Sequence, residues 1–235
     1  MRPIERPPSF AEEVADRIRQ AIVDGDLGLG EAVSERQLAD RLGVSKTPVR
    51  EALAQLRTEG LVRIYPQRGA MVFTLSAREI RDICELRQAL EVAALRHAIE
   101  RNPGRLADGL SRVVADMRVA RADDDVRRYL SDDTAYHQVF FDCCDNLYLQ
   151  DTYSLHVGKI AALRTHLARK PHHTERSFEE HCRMLELVGS GDADACIAVL
   201  DSHIDRTKST YAAEVKDIAA ADQSDPAPRV RGRAS

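Results

Sequence analysis

No apolar run in the 235 residues approaches the roughly 20 needed to cross a bilayer, so no stretch reads as a membrane span. Met1 to Pro8 carries charge and proline but no hydrophobic signal region, and a cytoplasmic location is expected. Cysteine is scarce and odd in number. Cys84, Cys143, Cys144, Cys182 and Cys196 lack finger-like pairing and fit reduced core thiols better than a disulfide framework. Adjacent Cys143 and Cys144 suit either redox chemistry or burial as small hydrophobes. No internal repeat is evident, and an overall basic excess is missing, since the formal net charge is -4. Beyond Ser76 proline nearly vanishes, with Pro103 and Pro171 alone before the final stretch.

What is present divides the chain in two. With 43% hydrophobic and 31% charged residues there is enough for a small and a larger domain, each with its own core. β-like composition stops at Phe73-Thr74-Leu75-Ser76, and helical period takes over, which sets domains at 1–75 and 76–216. From Ala219 on, Ala, Asp, Ser, Pro and Arg dominate, so a disordered tail is expected over 217–235. The fold class is mainly α: an N-terminal winged helix-turn-helix, then an all-helical bundle.

The winged unit is read from its punctuation. Ser9 caps a first helix in which Phe10, Val14, Ile18, Ala21 and Ile22 recur at helical spacing, ended by Gly25. Ser34 with Gln37 makes a capping box and Val33 with Leu38 a hydrophobic staple, starting a helix that Gly43 ends. A second N-terminus follows at Ser45 to Thr47, with Pro48 in the first turn, where a missing N–H is tolerated. Val49, Leu53 and Leu56 form its core side, leaving Lys46, Thr47, Arg50 and Arg57 outward. Leu61–Tyr65 and Ala70–Phe73 are short β-prone runs around Pro66-Gln67-Arg68-Gly69, a wing with a basic tip at Arg68.

Charge is local here. Residues 36–68 hold seven Lys or Arg against three acids within a chain of net charge -4. A helix N-terminus carrying Ser45, Lys46 and Thr47 offers N–H groups and a positive dipole end to phosphate, and Arg50 one turn on reaches a guanine edge. The bland alternative is an amphipathic helical hairpin with a solvated charged face.

In the second domain, six helices are expected near 77–101, 104–121, 125–144, 146–169, 174–188 and 192–215. Asp133 and His137, four apart, share a face with Leu130, Phe140, Phe141 and Cys144, a metal-ligand spacing. His181 shares a face with Leu185 and Val188, and His203 with Cys196, Val199, Leu200 and Thr207. If the last two helices are antiparallel, these histidines stand 8 residues before and 11 after the turn at 189–192. Their heights are then roughly 12 and 16 Å, less than a turn apart. Three neutral imidazoles and a carboxylate suit a divalent transition ion, zinc first, with nickel or manganese as alternatives. The same four would also serve as a polar core network. Arg87 lies on the face of Ile80, Ile83, Leu90 and Ala94, where it suits a carboxylate ligand or a salt bridge to Glu91. Arg164, His156 and His166 either line the cavity or lie on a solvated face.

The run V-S-E-R-Q-L-A-D-R-L-G-V-S-K-T-P-V-R-E-A-L-A-Q-L-R-T-E-G-L-V, followed by Q-R-G-A-M-V, closely resembles the DNA-binding domain of GntR-type bacterial transcription regulators. The resemblance implies that Arg36, Ser45, Lys46, Thr47 and Arg50 contact phosphates and bases and that Gly69 approaches the minor groove. Leu27-Gly28-Leu29-Gly30 departs from the family, which usually has a proline before the glycine. Residues 76–215 resemble the metal-carrying helical effector domain of the FadR-type branch: Asp133, His137, His181 and His203 meet its D-x-x-x-H…H…H pattern, with Asn146 and Gly191-Asp192 also in place. The resemblance implies that such proteins hold small carboxylates, often sugar acids, hydroxy acids or dicarboxylates, on or near the ion. The function expected is an effector-responsive repressor, a homodimer on a pseudo-palindromic operator in double-stranded DNA. A regulator sensing the ion itself is one alternative, and a metal-dependent enzyme another. Against the enzyme, no second carboxylate stands at clear general-base spacing.

Overall fold

A computed structural model describes residues 9–65, 69–167 and 171–224. The winged unit comprises α1 (Phe10–Val23), β1 (Ala32–Val33), α2 (Glu35–Leu42), α3 (Lys46–Thr58), β2 (Val62–Tyr65) and β3 (Gly69–Val72). Ser9 and Ser34 each close a capping box, with Glu12 and Gln37 respectively, a device that contributes about 1 kcal/mol per helix start. Gly43 ends α2 in the left-handed conformation at φ 68°, which turns the chain into α3. Val49, Ala52, Leu53 and Leu56 of α3 are buried against Val14, Ala15, Ile18 and Ile22 of α1. The sheet order is β1-β3-β2, antiparallel throughout. The two-residue strand β1 is an addition to the expected hairpin, pairing Ala32 with Met71 and Val33 with Ala70.

The bundle comprises α4 (Ala77–Arg101), α5 (Pro103–Ala122), α6 (Val126–Cys143), α7 (Leu147–Leu167), α8 (Pro171–Ser190) and α9 (Ala193–Ser224). All six expected helices are present. Ser76 and Glu79 box the start of α4, and Asp125 caps α6. α9 continues to Ser224, so 217–224, read as tail, lies in helix; Ala-rich sequence favours helix even where periodicity has faded. The rest of that expected tail, 225–235, lies outside the described residues. The buried face of α4 is apolar except at Arg87 and Glu91, which sit between Cys84 and Ala94 deep in the bundle. Among the described residues no helix is long and apolar enough to cross a membrane.

The two units are joined through α1 and α7. Arg127 at the start of α6 reaches Asp26 at 2.9 Å and Asp24 at 3.4 Å, beyond the end of α1. Lys159 of α7 lies over the Phe73 ring, 5.5 Å from its centroid, and beside Gly60 at the end of α3.

Candidate metal centre and DNA interface

The helical register brings three imidazoles from three helices to one point. His137 of α6, His181 of α8 and His203 of α9 are all buried, with ring centroids 5.0 to 5.3 Å apart. One ligand atom from each lies within 4.8 Å of the others. The depth argument for His181 and His203 therefore fits the packing of α8 on α9. Tyr136 holds His181 in place: its ring stacks at 4.1 Å, and its hydroxyl donates to the His181 carbonyl at 3.0 Å.

Asp133 stands one step aside. Its Oδ1 is 3.8 Å from His181 Nε2, while Arg164 Nε binds its Oδ2 at 2.8 Å. Two atoms bound to one transition ion are at most about 4.2 Å apart, twice an ordinary metal–nitrogen or metal–oxygen bond. The separation from His181 is within that limit. Both ring nitrogens of His181 are buried without a hydrogen-bond partner. An orphaned imidazole in a sealed core costs about 1–3 kcal/mol per unmet group, unless another ligand uses it. The three imidazoles suit a divalent ion in the chemistry of their donors, with Asp133 near His181 alone.

Protonation favours the same use. Burial pushes His181 down to about 3, against the pull of Asp133. It lowers His137 well below its ordinary value, with Arg87 and Arg164 adding to the effect, and lowers His203 although Glu180 pulls it up. All three are neutral at pH 7, the form that ligates metal. Burial works against the charge on Asp133, but Arg164 and the histidines outweigh it and hold the carboxyl well below its usual range.

Two carboxylates orient the rings. Glu91 Oε2 lies 2.8 Å from His137 Nδ1, and Glu180 Oε2 lies 2.7 Å from His203 Nδ1. Such partners fix the tautomer and leave Nε2 as the free lone pair. Arg87 makes the salt bridge to Glu91, one of the two roles its spacing allowed, and its Nη2 also comes within 2.9 Å of His137 Nε2. Beside this cluster, Arg87, Arg164, Arg206, Asp133 and His203 line a small, partly open cavity of about 30 Å³.

The winged unit presents the other set. Ser45 caps α3 without using its hydroxyl, which leaves the side chain free at an exposed helix start beside Lys46 and Thr47. Arg50 is exposed and held by Glu35, Nη2–Oε2 2.8 Å and Nε–Oε1 3.1 Å. Arg36 lies 3.7 Å from Asp40 on the exposed side of α2. Arg68 lies outside the described residues. Gly69 is accounted for by the fold itself: at φ 88° a Cβ would stand 2.7 Å from the Val33 carbonyl of β1, so the sheet requires glycine there.

Residues 10–72 match the bacterial regulatory proteins of the gntR family, and residues 82–206 match the FCD domain. The chain belongs to the GntR family. An HTH-type transcriptional regulator from an unstable DNA locus of Streptomyces ambofaciens is 36% identical over 126 residues, 52% of this chain and 51% of that protein. The match thus spans about half the length of that relative. The gluconate operon transcriptional repressor of Bacillus licheniformis is 25% identical over 202 residues, covering 84% of this chain and 83% of its own. A GntR transcriptional regulator from Rhodococcus sp. RHA1 shares the fold with a TM-score of 0.78 at 19% identity, over 87% of this chain and 98% of that one. A metal-free FCD domain of another regulator superposes at 0.54 with 20% identity, over 63% of this chain and 99% of that one.

This GntR chain is a transcriptional regulator, not an enzyme, as its families and relatives are. Of the four residues expected from spacing, His137, His181 and His203 form one group and Asp133 stands beside His181, while the supporting carboxylates of this GntR chain were missed. Glu180 precedes an inward histidine and was masked by it. Arg206, three residues after His203, binds Glu180 through Nε at 3.0 Å. Arg164 proves buried, whereas His156 is only partly covered and His166 Nε2 lies 3.3 Å from the Ile22 carbonyl of α1, away from the cluster.

Proposed function

We propose that the chain is a homodimeric repressor whose grip on a pseudo-palindromic operator is set by a small organic acid held at a divalent metal site. His181 carries the reading. A fully buried imidazole with no partner on either nitrogen, beside two other imidazoles and a carboxylate, is a group arranged for something to bind it. Asp133, His137, His181 and His203 would hold the ion, zinc first and nickel or manganese next. The ion would polarise a bound carboxylate. Arg87 and Arg164 would orient that acid, since both are buried and line the same cavity. That a relative represses a gluconate operon is in keeping with an acid as signal.

In the reading heads, Arg36, Ser45, Lys46, Thr47 and Arg50 would meet phosphates and major-groove bases, and the wing at Arg68 and Gly69 would follow the minor groove. Leu147, Tyr148 and Leu155 leave an exposed apolar strip at the start of α7 that a second copy could cover. The acid acts only if it binds the operator-competent and incompetent arrangements with different affinity.

The test is fluorescence anisotropy on labelled operator, titrating organic acids into metal-loaded and metal-stripped protein. Release by an acid only when metal is present supports the reading. Affinity that follows free metal without any acid would make the ion itself the signal, and affinity indifferent to both would end the proposal.

A further inference from the structure

We infer that the junction between the two units is a binding site in its own right, separate from the histidine cluster, and that it takes a small amphipathic amine. Helices α1, α6 and α7 do not close on one another there, and they leave a groove of about 470 Å³. A space of that size admits a bicyclic organic molecule, and such pockets concentrate where domains meet. Val23 of α1, Val126 and Leu130 of α6, and Val157 and Ala161 of α7 form its apolar wall. Val126 is 51% exposed, so a largely apolar guest buries surface that the fold alone leaves in water.

The polar groups of the groove narrow the choice of guest. Thr134 Oγ1 accepts from Arg164 Nη1 at 3.0 Å and donates to the Leu130 carbonyl at 3.2 Å. Gln20 Nε2 donates to Asp24 at 2.8 Å, and Gln138 Nε2 to Asp142 at 3.0 Å. With these donors and acceptors committed, the groove offers a sugar or a peptide few partners and an apolar body many. Its charge leans to one sign. Arg127 is shared by Asp24, which lines the groove, and by Asp26. Arg19, whose stem lies beside Gly158 of the groove wall, is shared by Asp16 and Glu59. Lys159, next along α7, is turned to the Phe73 ring instead. Two guanidiniums thus stand against four carboxylates, a surplus that repels an anion and draws a cation. An amine on an apolar frame meets both conditions, with its ring against the valines and its ammonium towards Asp24. Val23 and Asp24 belong to the reading unit and the other walls to the bundle, so the guest touches both units at once.

The chain has no tryptophan, so indole fluorescence excited beyond the tyrosine band reports a bound probe alone. Fluorescence anisotropy on the full chain compares tryptamine with tryptophol, which carry an amine or a hydroxyl on the same two-carbon arm. Tryptamine should bind about five-fold tighter, the worth of one exposed charge contact, and the advantage should shrink in about 1 M salt. Ala135→Phe puts a ring into the groove from an exposed position of α6 and should remove the binding of both probes with little change in Tm. Asp24→Asn, which removes charge at constant size, should keep the affinity for tryptophol and bring tryptamine down to the same level. Equal affinity of the two probes would overturn the inference, as would no binding of either. So would binding that survives Ala135→Phe in folded protein, or a preference for tryptamine that survives Asp24→Asn.

Discussion

Arg87 Nη2 lies 2.9 Å from His137 Nε2 while Arg87 Nε donates to Glu91, so one buried guanidinium joins a carboxylate to the histidine cluster. Arg87 and Glu91 are 2% and 0% exposed, and each leaves an uncompensated charge if the other is removed.

Arg87→Met should therefore destabilise the metal-free protein by about 3–5 kcal/mol, the cost of stranding a buried carboxylate. Arg87→Met with Glu91→Leu should recover most of that loss, because an apolar pair of similar volume replaces the ion pair. Urea denaturation of the two variants gives the comparison. Equal instability in both would mean that the loss comes from packing and not from a stranded charge.

Stability of the metal-free protein should fall steeply with acid. His181 has its pKa at about 3 in the fold, against an ordinary 6.5. A group depressed on folding contributes stability that is complete above its unfolded value and lost as pH drops toward its folded value. For His181 the window is 6.5 down to about 3, and by pH 5 the loss is about 2 kcal/mol. Glu180, held down to about 2 by His203 and Arg206 against its burial, adds a loss only below pH 4.5. Thermal melts between pH 7.5 and 5 should show a progressive decline in Tm. A flat profile across that range would mean His181 is not buried as a neutral base.

Arg50→Ala should weaken discrimination between operator and random DNA by about ten-fold or more while leaving the melting temperature unchanged. Its side chain is exposed and meets only Glu35, so the fold loses little, whereas a base contact is worth about 1–3 kcal/mol of selectivity. Retained selectivity in a competition binding assay would remove α3 from the role assigned to it.

Gly60 and Gly69 both have positive φ but differ in what surrounds them. A Cβ at Gly60 meets the tip of Lys159, 2.6 Å away and able to move. At Gly69 it meets the Val33 carbonyl, which cannot move without parting β1 from β3. Gly60→Ala should cost about 1–2 kcal/mol, partly recovered by Lys159→Ala, and Gly69→Ala should cost more. The reverse order in chemical denaturation would contradict the junction described at α7.

The legible parts were those written in short-range chemistry. Ser34 with Gln37 and Ser76 with Glu79 announce helix starts because both partners of the cap lie within four residues. The four candidate ligands were readable because a polar side chain on an apolar helix face is visible from spacing alone. Strand β1 was not, since two residues carry no period and pair only with a strand some forty residues on. Arg164 was not singled out because α7 has apolar residues all round, so no stripe marks which side faces the cavity. Glu91 was read as one option for Arg87 and is in fact the support of His137 as well, a relation between helices that no single-helix pattern contains.

The most direct test is the metal content of the full chain, by elemental mass spectrometry on untagged protein dialysed free of loose ions. The account predicts close to one equivalent of a divalent transition metal per chain, and its loss in His181→Ala. No bound metal after incubation with zinc, nickel and manganese in turn would contradict it, and would leave Asp133 and the three histidines as a polar network in the core.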